Sequence, residues 1–193
     1  MLFYLTVFSV ILWAVVPIRQ FRMKYFFYFL FLICSDIVIL VARLIFHSQT
    51  NFPFILFSFL ALVSLQGKLF IKKYKILLAV AFIIISFFNL DYYVLGIPEI
   101  QVLGISNSII HFFILITLLK ELIITFEKNR LLNLFVIILI FYEITLIAKF
   151  LNNLTGFTND YYYYVITSIF EIAFGIFFII FKADNKFLVF QLK

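Results

Sequence analysis

The chain has 193 residues, of which 66% are hydrophobic, 22% aromatic and only 12% charged, with a formal net charge of +6. Soluble domains are about 45–50% apolar and about 25% charged, so this composition excludes a soluble domain. A nucleic-acid partner is not needed to explain the positive charge, because the basic residues follow a membrane topology.

Seven apolar segments follow one another along the chain, each near the roughly 20 residues that cross a bilayer as a helix. Helices are expected because backbone polar groups inside a bilayer must be satisfied within their own segment. The predicted fold is all-α: a polytopic membrane protein whose single domain, residues 1–193, is a seven-transmembrane-helix bundle without a soluble domain. The segments cover residues 1–18, 25–46, 52–71, 75–95, 103–125, 131–152 and 161–181.

Basic residues are concentrated in alternate connections. The first, third and fifth connections and the carboxyl-terminal tail hold 13 of the 15 Lys and Arg residues. The positive-inside rule therefore predicts an amino terminus outside and a cytoplasmic carboxyl terminus, in a bacterial cytoplasmic (inner) membrane. The first segment lacks a basic n-region and a small-residue cleavage site, so a retained helix is expected rather than a signal peptide. The 13 residues are Arg19, Arg22, Lys24, Lys68, Lys72, Lys73, Lys75, Lys120, Lys128, Arg130, Lys182, Lys186 and Lys193.

Six of the ionisable residues within the apolar segments form the predicted ligand- or proton-binding set. A charged side chain at the bilayer centre is costly, so it usually faces the bundle interior and serves a site. With a helical rise of 1.5 Å per residue, the three carboxylates lie about 15–18 Å from a segment end, near one midplane, and the three basic residues lie closer to the outside. The set is Asp36, Arg43, His111, Glu143, Lys149 and Glu171.

Polar residues recur at helical spacing beside these charges. Arg43 follows Asp36 by seven residues and returns to nearly the same face, whereas Lys149 follows Glu143 by six and is about a third of a turn away. If the polar faces meet, they line an acidic core that opens outward. The alternative is that the same groups only hold the helices together, with the cations reaching the outer interface. The supporting polar residues are Tyr142, Thr145, Asn152, Tyr164, Thr167 and Ser168.

Two segments share a weak internal similarity. The second has Asp36 followed by Ala42 and Arg43, and the sixth has Glu143 followed by Ala148 and Lys149. Helices one to three would then correspond to helices five to seven, with the fourth as a linker. This 3+1+3 parallel repeat resembles, in plan only, the sugar-exporting heptahelical transporters.

Motifs for known chemistry are absent from the sequence. Gly-x-Ser-x-Gly, His-Glu-x-x-His and a phosphate-binding glycine-rich loop do not occur, and the seventh segment has no central lysine for a retinal. One cysteine and two histidines are too few for a His/Cys zinc site. We therefore expect a non-enzymatic protein without metal or cofactor.

Three functions fit a heptahelical bundle with buried charges. The leading hypothesis is a sensor-like protein that binds a small polar ligand or protons and relays binding to a membrane partner or to a second copy. The alternatives are a proton- or cation-coupled small-solute transporter and a structural or assembly subunit of a membrane complex. Gly175 is the sole glycine within a segment core. Continuous helices are therefore expected, which favours the first hypothesis over alternating access.

Overall fold

The computed structural model of the protein describes residues 2–46, 52–90, 99–155 and 160–191. Seven α-helices occur in these ranges, and two short strands, β1 (Leu131–Asn133) and β2 (Val189–Gln191), pair antiparallel. A 3-10 turn, Lys186–Leu188, leads into β2. The all-α class is therefore confirmed. The helices are α1 (Leu2–Arg19), α2 (Phe26–Phe46), α3 (Phe52–Leu65), α4 (Lys68–Leu90), α5 (Glu99–Asn129), α6 (Leu134–Thr155) and α7 (Asp160–Ile180).

The boundary between the third and fourth helices differs from the expected one. Helix α3 ends at Leu65 rather than at residue 71, and α4 begins at Lys68, so the lysines expected in a loop lie on the first turns of α4. Glycine is unfavourable inside a helix and lysine is favourable, which explains a break at Gly67 followed at once by helix. Helix α4 is kinked at Tyr74, whose φ and ψ are −110° and 16°.

Helix α5 is longer than its apolar segment. Its 31 residues span about 46 Å, compared with about 30 Å for a bilayer core. Arg130 ends the helix in the left-handed region, with φ of 53°, and its amide donates to the Phe126 carbonyl at 2.8 Å. Because β1 takes the next three residues, α6 begins at Leu134, where the Asn133 side chain accepts a hydrogen bond from the Phe135 amide at 2.9 Å.

Six helices form a closed ring, and α4 lies outside it. Helix α1 packs on α2 and α7, α2 on α3, α3 on α5, α5 on α6, and α6 on α7, whereas the main contacts of α4 are with α3 and α5. The outer face of α4 is apolar and exposed. Its exposed residues include Ile76, Leu77, Val80, Ile83, Ile84 and Phe87.

Aromatic side chains fill the centre of the ring between α1, α2, α6 and α7. Trp13 stacks on Tyr142 with ring centroids 4.6 Å apart, and Phe29 and Phe135 lie 4.9 and 5.2 Å from Phe178. All five side chains are buried. This aromatic core fixes the orientation of α6, and so of Glu143, which follows Tyr142.

One buried side chain joins the carboxyl-terminal ends of α1 and α7. The Gln20 amide nitrogen donates to the carbonyls of Phe178 and Phe181 at 2.7 and 2.8 Å, and its oxygen accepts from the Ala183 amide at 3.1 Å. Arg19 Nε donates to the Ile179 carbonyl at 3.0 Å. Carbonyls in the last turn of a helix have no intrahelical partner, so α1 satisfies the end of α7.

Three helical stretches in the described part of the chain are long and apolar enough to cross a membrane: Gly104–Asn129, Leu134–Asn152 and Tyr162–Ile180. Three shorter apolar helices accompany them, at Tyr4–Arg19, Phe26–Ala42 and Pro53–Leu65. These stretches are consistent with an integral membrane location.

Candidate functional site

Glu143 lies at the centre of the molecule and contacts two other helices. Its side chain is 0% exposed, and that of His111 is 2% exposed. Glu143 Oε2 lies 2.8 Å from His111 Nδ1, and Glu143 Oε1 accepts a hydrogen bond from the Tyr28 hydroxyl. One carboxylate thus joins α6 to α5 and α2.

Ser58 extends this network to a fourth helix. Its Oγ lies 3.2 Å from His111 Nε2, and the serine is 3% exposed. Phe150 stacks on the imidazole with ring centroids 5.4 Å apart. Tyr28, Ser58, His111 and Glu143 are called the inner cluster below. Both imidazole nitrogens are hydrogen-bonded, which fixes the ring between α3 and α6.

The helical spacing on α5 explains why its polar residues face inward. Asn107 and Ser108 precede His111 by four and three residues, so all three lie on one face. They are 0%, 9% and 1% exposed, respectively. The outward side of α5 is instead occupied by residues such as Phe112 and Phe113, which are 53% exposed.

A second group of charges, the outer cluster, consists of Asp36, Lys149 and Glu171. Lys149 Nζ donates to Glu171 Oε1 at 2.6 Å, and the two side chains are 28% and 13% exposed. Asp36 lies within electrostatic range of both partners. With all three groups ionised, the cluster has one excess negative charge.

Trp13 and Tyr142 lie between the two clusters. The indole nitrogen of Trp13 donates to the backbone carbonyl of Glu171 at 3.0 Å, while its ring stacks on Tyr142. Tyr142 is 5% exposed and interacts electrostatically with Glu143, Glu171 and Asp36. A change of charge in either cluster therefore changes the electrostatic potential at the Trp13–Tyr142 pair.

The structure divides the predicted site residues between the two clusters rather than placing them around one chamber. Lys149 pairs with Glu171 on the neighbouring helix and not with Glu143 on its own. The reason is the helical offset of about a third of a turn, which directs Lys149 toward α7. The side chain of Arg43 lies outside the described residues.

The supporting residues have mixed roles. Thr145 donates to the Phe141 carbonyl at 3.0 Å, and Thr167 to the Tyr163 carbonyl at 3.0 Å, so both hydroxyls bond within their own helices. Asn152 and Ser168 are buried, at 6% and 7% exposure. Tyr164 is within electrostatic range of Lys149 and so adjoins the outer cluster.

Three residues of the inner cluster and the adjacent aromatic pair are not evident from the sequence pattern. Tyr28 is one of 11 tyrosines in a chain with 30 phenylalanines, so composition does not single it out. Trp13 looks like an ordinary apolar residue of the first segment. Ser58 had a usable signal, because it is a hydroxyl residue in an otherwise apolar stretch of α3, and such residues often bond across helices in membranes.

A fourth acid, Glu121, lies on α5 ten residues after His111. Glu121 Oε1 accepts from the Tyr25 hydroxyl at 2.6 Å and pairs with Lys24 at 2.5 Å. Tyr25, in the turn before α2, and Tyr28, in the first turn of α2, bind different carboxylates. Glu121 therefore belongs to neither cluster.

Comparisons of the chain with protein-family models, with curated proteins and with solved structures return no match. The function is therefore inferred from the geometry of the two clusters.

Proposed function

We propose that this chain is a seven-span integral membrane protein whose buried interior binds protons and relays their binding to a membrane partner. Large apolar side chains are exposed on the outer surface of every helix from α4 to α7, as a lipid contact requires. The basic residues at the end of α1 and in the turn before α2 lie at the same end of the bundle as β1 and the tail strand β2. That distribution supports a cytoplasmic carboxyl terminus.

The observation that carries the proposal is the linkage of four helices by the inner cluster. Glu143 holds Tyr28 and His111, and His111 holds Ser58. Hydrogen bonds to a buried charged group are strong and costly to leave unmade. A change in the protonation of this cluster therefore acts on α2, α3, α5 and α6 together.

The bound species that fits the inner cluster is a proton. Both Glu143 and His111 are almost completely shielded from solvent. A neutral imidazole that donates through Nδ1 to Glu143 accepts from Ser58 at Nε2, and the cluster then has one negative charge. Addition of one proton to the imidazole neutralises the cluster and makes Nε2 a donor to Ser58.

Relay to the surface follows from the position of the aromatic pair. Glu143 is preceded by Tyr142, which stacks on Trp13 of α1, and α1 packs on α7 through Gly175. A shift of α6 thus reaches α1 and α7, whose outer faces are apolar and exposed. The partner is a second membrane protein or a second copy of the chain that contacts these faces.

A proton- or cation-coupled transporter is the second candidate. The order of neighbours around the six-helix ring is unchanged when α1, α2 and α3 are exchanged with α5, α6 and α7, and α4 lies outside the ring. That order is compatible with the 3+1+3 repeat expected from the sequence and found in transporters. A structural or assembly subunit is the remaining alternative.

Ser58, His111 and Glu143 also occur in the order of a hydrolase triad, with the hydroxyl on Nε2 and the carboxylate on Nδ1. A nucleophile must reach its substrate, however, and Ser58 is 3% exposed. We therefore interpret the cluster as a proton site rather than as a catalytic centre.

The test uses the only tryptophan as a reporter. The purified full-length chain is reconstituted in liposomes, and Trp13 fluorescence is followed while pH is varied across the range in which His and Glu side chains titrate. We expect a pH-dependent transition that Glu143→Gln abolishes and that the exposed control Glu127→Gln leaves unchanged. An unaltered transition in Glu143→Gln would contradict the proposal.

The same liposomes separate the alternatives. Proton entry into the lumen that depends on Glu143 and on an added solute would favour the transporter. Tolerance of Glu143→Gln, together with co-purification in a larger complex, would favour the subunit.

A further inference from the structure

A groove of about 490 Å³ runs between α1 and α2 on the outside of the bundle, and none of its lining residues belongs to either cluster. Its lining is almost entirely apolar and includes Pro17, Phe21, Phe26, Leu30, Ile33 and Cys34. The groove is open along one side, so it is accessible from the surrounding membrane rather than from the bundle interior.

The length of the groove matches one leaflet of a bilayer. Along α2 it extends from Phe26 to Ile37, which corresponds to about 16 Å of helix. The hydrocarbon core of a bilayer is about 30 Å thick, so this is about half of it. The groove begins at the basic end of the bundle and stops near the middle, as one acyl chain of the cytoplasmic leaflet does.

Positive charge is concentrated at the basic end of the groove. The guanidinium of Arg22 lies over the ring of Phe21, 5.4 Å from its centroid, and Phe21 lines the groove. Arg19, the last residue of α1, donates through Nε to the Ile179 carbonyl and so faces α7, and the charge of Lys24 is paired with Glu121. Arg22 is therefore the basic residue assigned to the groove.

We propose that this groove binds an anionic phospholipid of the cytoplasmic leaflet, with one acyl chain along α2 and the phosphate on Arg22. Arginine binds phosphate oxygens through two parallel N–H groups. In a zwitterionic headgroup a cation compensates the phosphate, so a lipid with net negative charge is attracted more strongly to this basic end. The proposal rests on the membrane orientation given above and is independent of proton binding.

The lone cysteine provides a direct probe, because Cys34 lines the groove and is partly exposed. The full-length chain is labelled at Cys34 with bimane and reconstituted in phosphatidylcholine that contains a brominated-chain lipid, either phosphatidylglycerol or phosphatidylcholine. Brominated phosphatidylglycerol is expected to reach half-maximal quenching at about a fivefold lower mole fraction than brominated phosphatidylcholine, the factor that one basic contact provides.

Matched variants show which residue causes the preference for phosphatidylglycerol over phosphatidylcholine. Arg22→Gln is expected to lose most of the preference, Arg22→Lys to keep most of it, and Lys128→Gln, at the same end of the bundle but on α5, to keep it unchanged. Glu143→Gln is also expected to leave it unchanged, so failure of the proton proposal and failure of the lipid proposal are distinguishable.

Native mass spectrometry of the unlabelled chain is the second measurement. Retention of phosphatidylglycerol over phosphatidylcholine that Arg22→Gln abolishes would support the site even if the label itself fills the groove. Equal retention of both lipids, or a preference that Arg22→Gln leaves intact, would overturn the proposal.

Discussion

Lys149 of α6 forms an ion pair with Glu171 of α7 at 2.6 Å, although a second carboxylate, Glu143, lies on its own helix six residues earlier. The charges of α6 are therefore divided between two separate clusters. The pair joins α6 to α7, with Asp36 of α2 close enough to interact with both.

The Lys149–Glu171 pair predicts an energetic coupling between the two residues. Lys149→Met should destabilise the protein, because it leaves Glu171 and Asp36 as neighbouring acids without their cation. Glu171→Gln should restore part of the loss, with a coupling energy of about 1 to 2 kcal/mol in a double-mutant cycle measured by unfolding in detergent. Additive effects of the two substitutions would show that the ion pair contributes nothing, and Lys128→Met serves as an exposed control.

Two substitutions of Glu143 should differ in their effect on the melting temperature. Glutamine keeps a carbonyl that accepts from Tyr28 and an amide that binds His111, so Glu143→Gln should fold with a melting temperature close to that of the wild type. Glu143→Leu leaves both partners buried and unsatisfied, at a cost of about 3 kcal/mol. That cost corresponds to a decrease of about 6–12 °C for a chain of this size. Equal melting temperatures for the two variants would mean that the carboxylate does not hold the helices.

A fluorophosphonate probe should fail to label the protein. The probe reacts with a serine activated by a histidine, and Ser58 is hydrogen-bonded to His111 but is shielded from solvent and substrate. Gel fluorescence or intact mass after incubation in native-like membranes measures labelling. Labelling that disappears in Ser58→Ala would establish a hydrolase and overturn the non-enzymatic proposal.

Gly175 should tolerate alanine but not valine. A Cβ at this position would overlap Leu12 Cδ2 and lie 3.2 Å from Trp13 Nε1. The Leu12 side chain can rotate away from one methyl group, whereas the branches of valine also reach the indole. We expect a loss of about 1 to 3 kcal/mol for Gly175→Val, the usual cost of overpacking, together with a shifted Trp13 emission. The exposed neighbour Ala173 provides the control Ala173→Val, which should change neither measurement.

Gln20→Ala should destabilise the junction of α1 and α7. The substitution removes three hydrogen bonds from a fully buried side chain and leaves the carbonyls of Phe178 and Phe181 without their donor. A loss of about 2 to 4 kcal/mol is expected. Thermal unfolding in detergent measures it, and Gln66→Ala is a suitable comparison because Gln66 makes one side-chain bond, to Thr117. An equal effect of the two substitutions would contradict a special role for Gln20.

The sequence by itself determined the class of the protein and the positions of its unusual residues. Long apolar stretches can satisfy their backbone only as helices, so seven helices could be placed from hydropathy alone. Helix ends were less well determined. The apolar pattern alone does not locate the boundary between α3 and α4, which depends on Gly67 and on the helix-favouring lysines that follow it. The buried positions of Glu143 and His111 followed from the cost of exposing charge to lipid.

Only the tertiary structure decided which of these residues meet. A rise of 1.5 Å and a rotation of 100° per residue place a side chain on its own helix, but they do not say which helix lies opposite. The pairing of Lys149 with Glu171 depends on the neighbourhood of α6 and α7 in the ring. The inner cluster likewise depends on Tyr28 and Ser58, which are ordinary residues in sequence and become partners of Glu143 and His111 only when α2 and α3 pack beside α5 and α6.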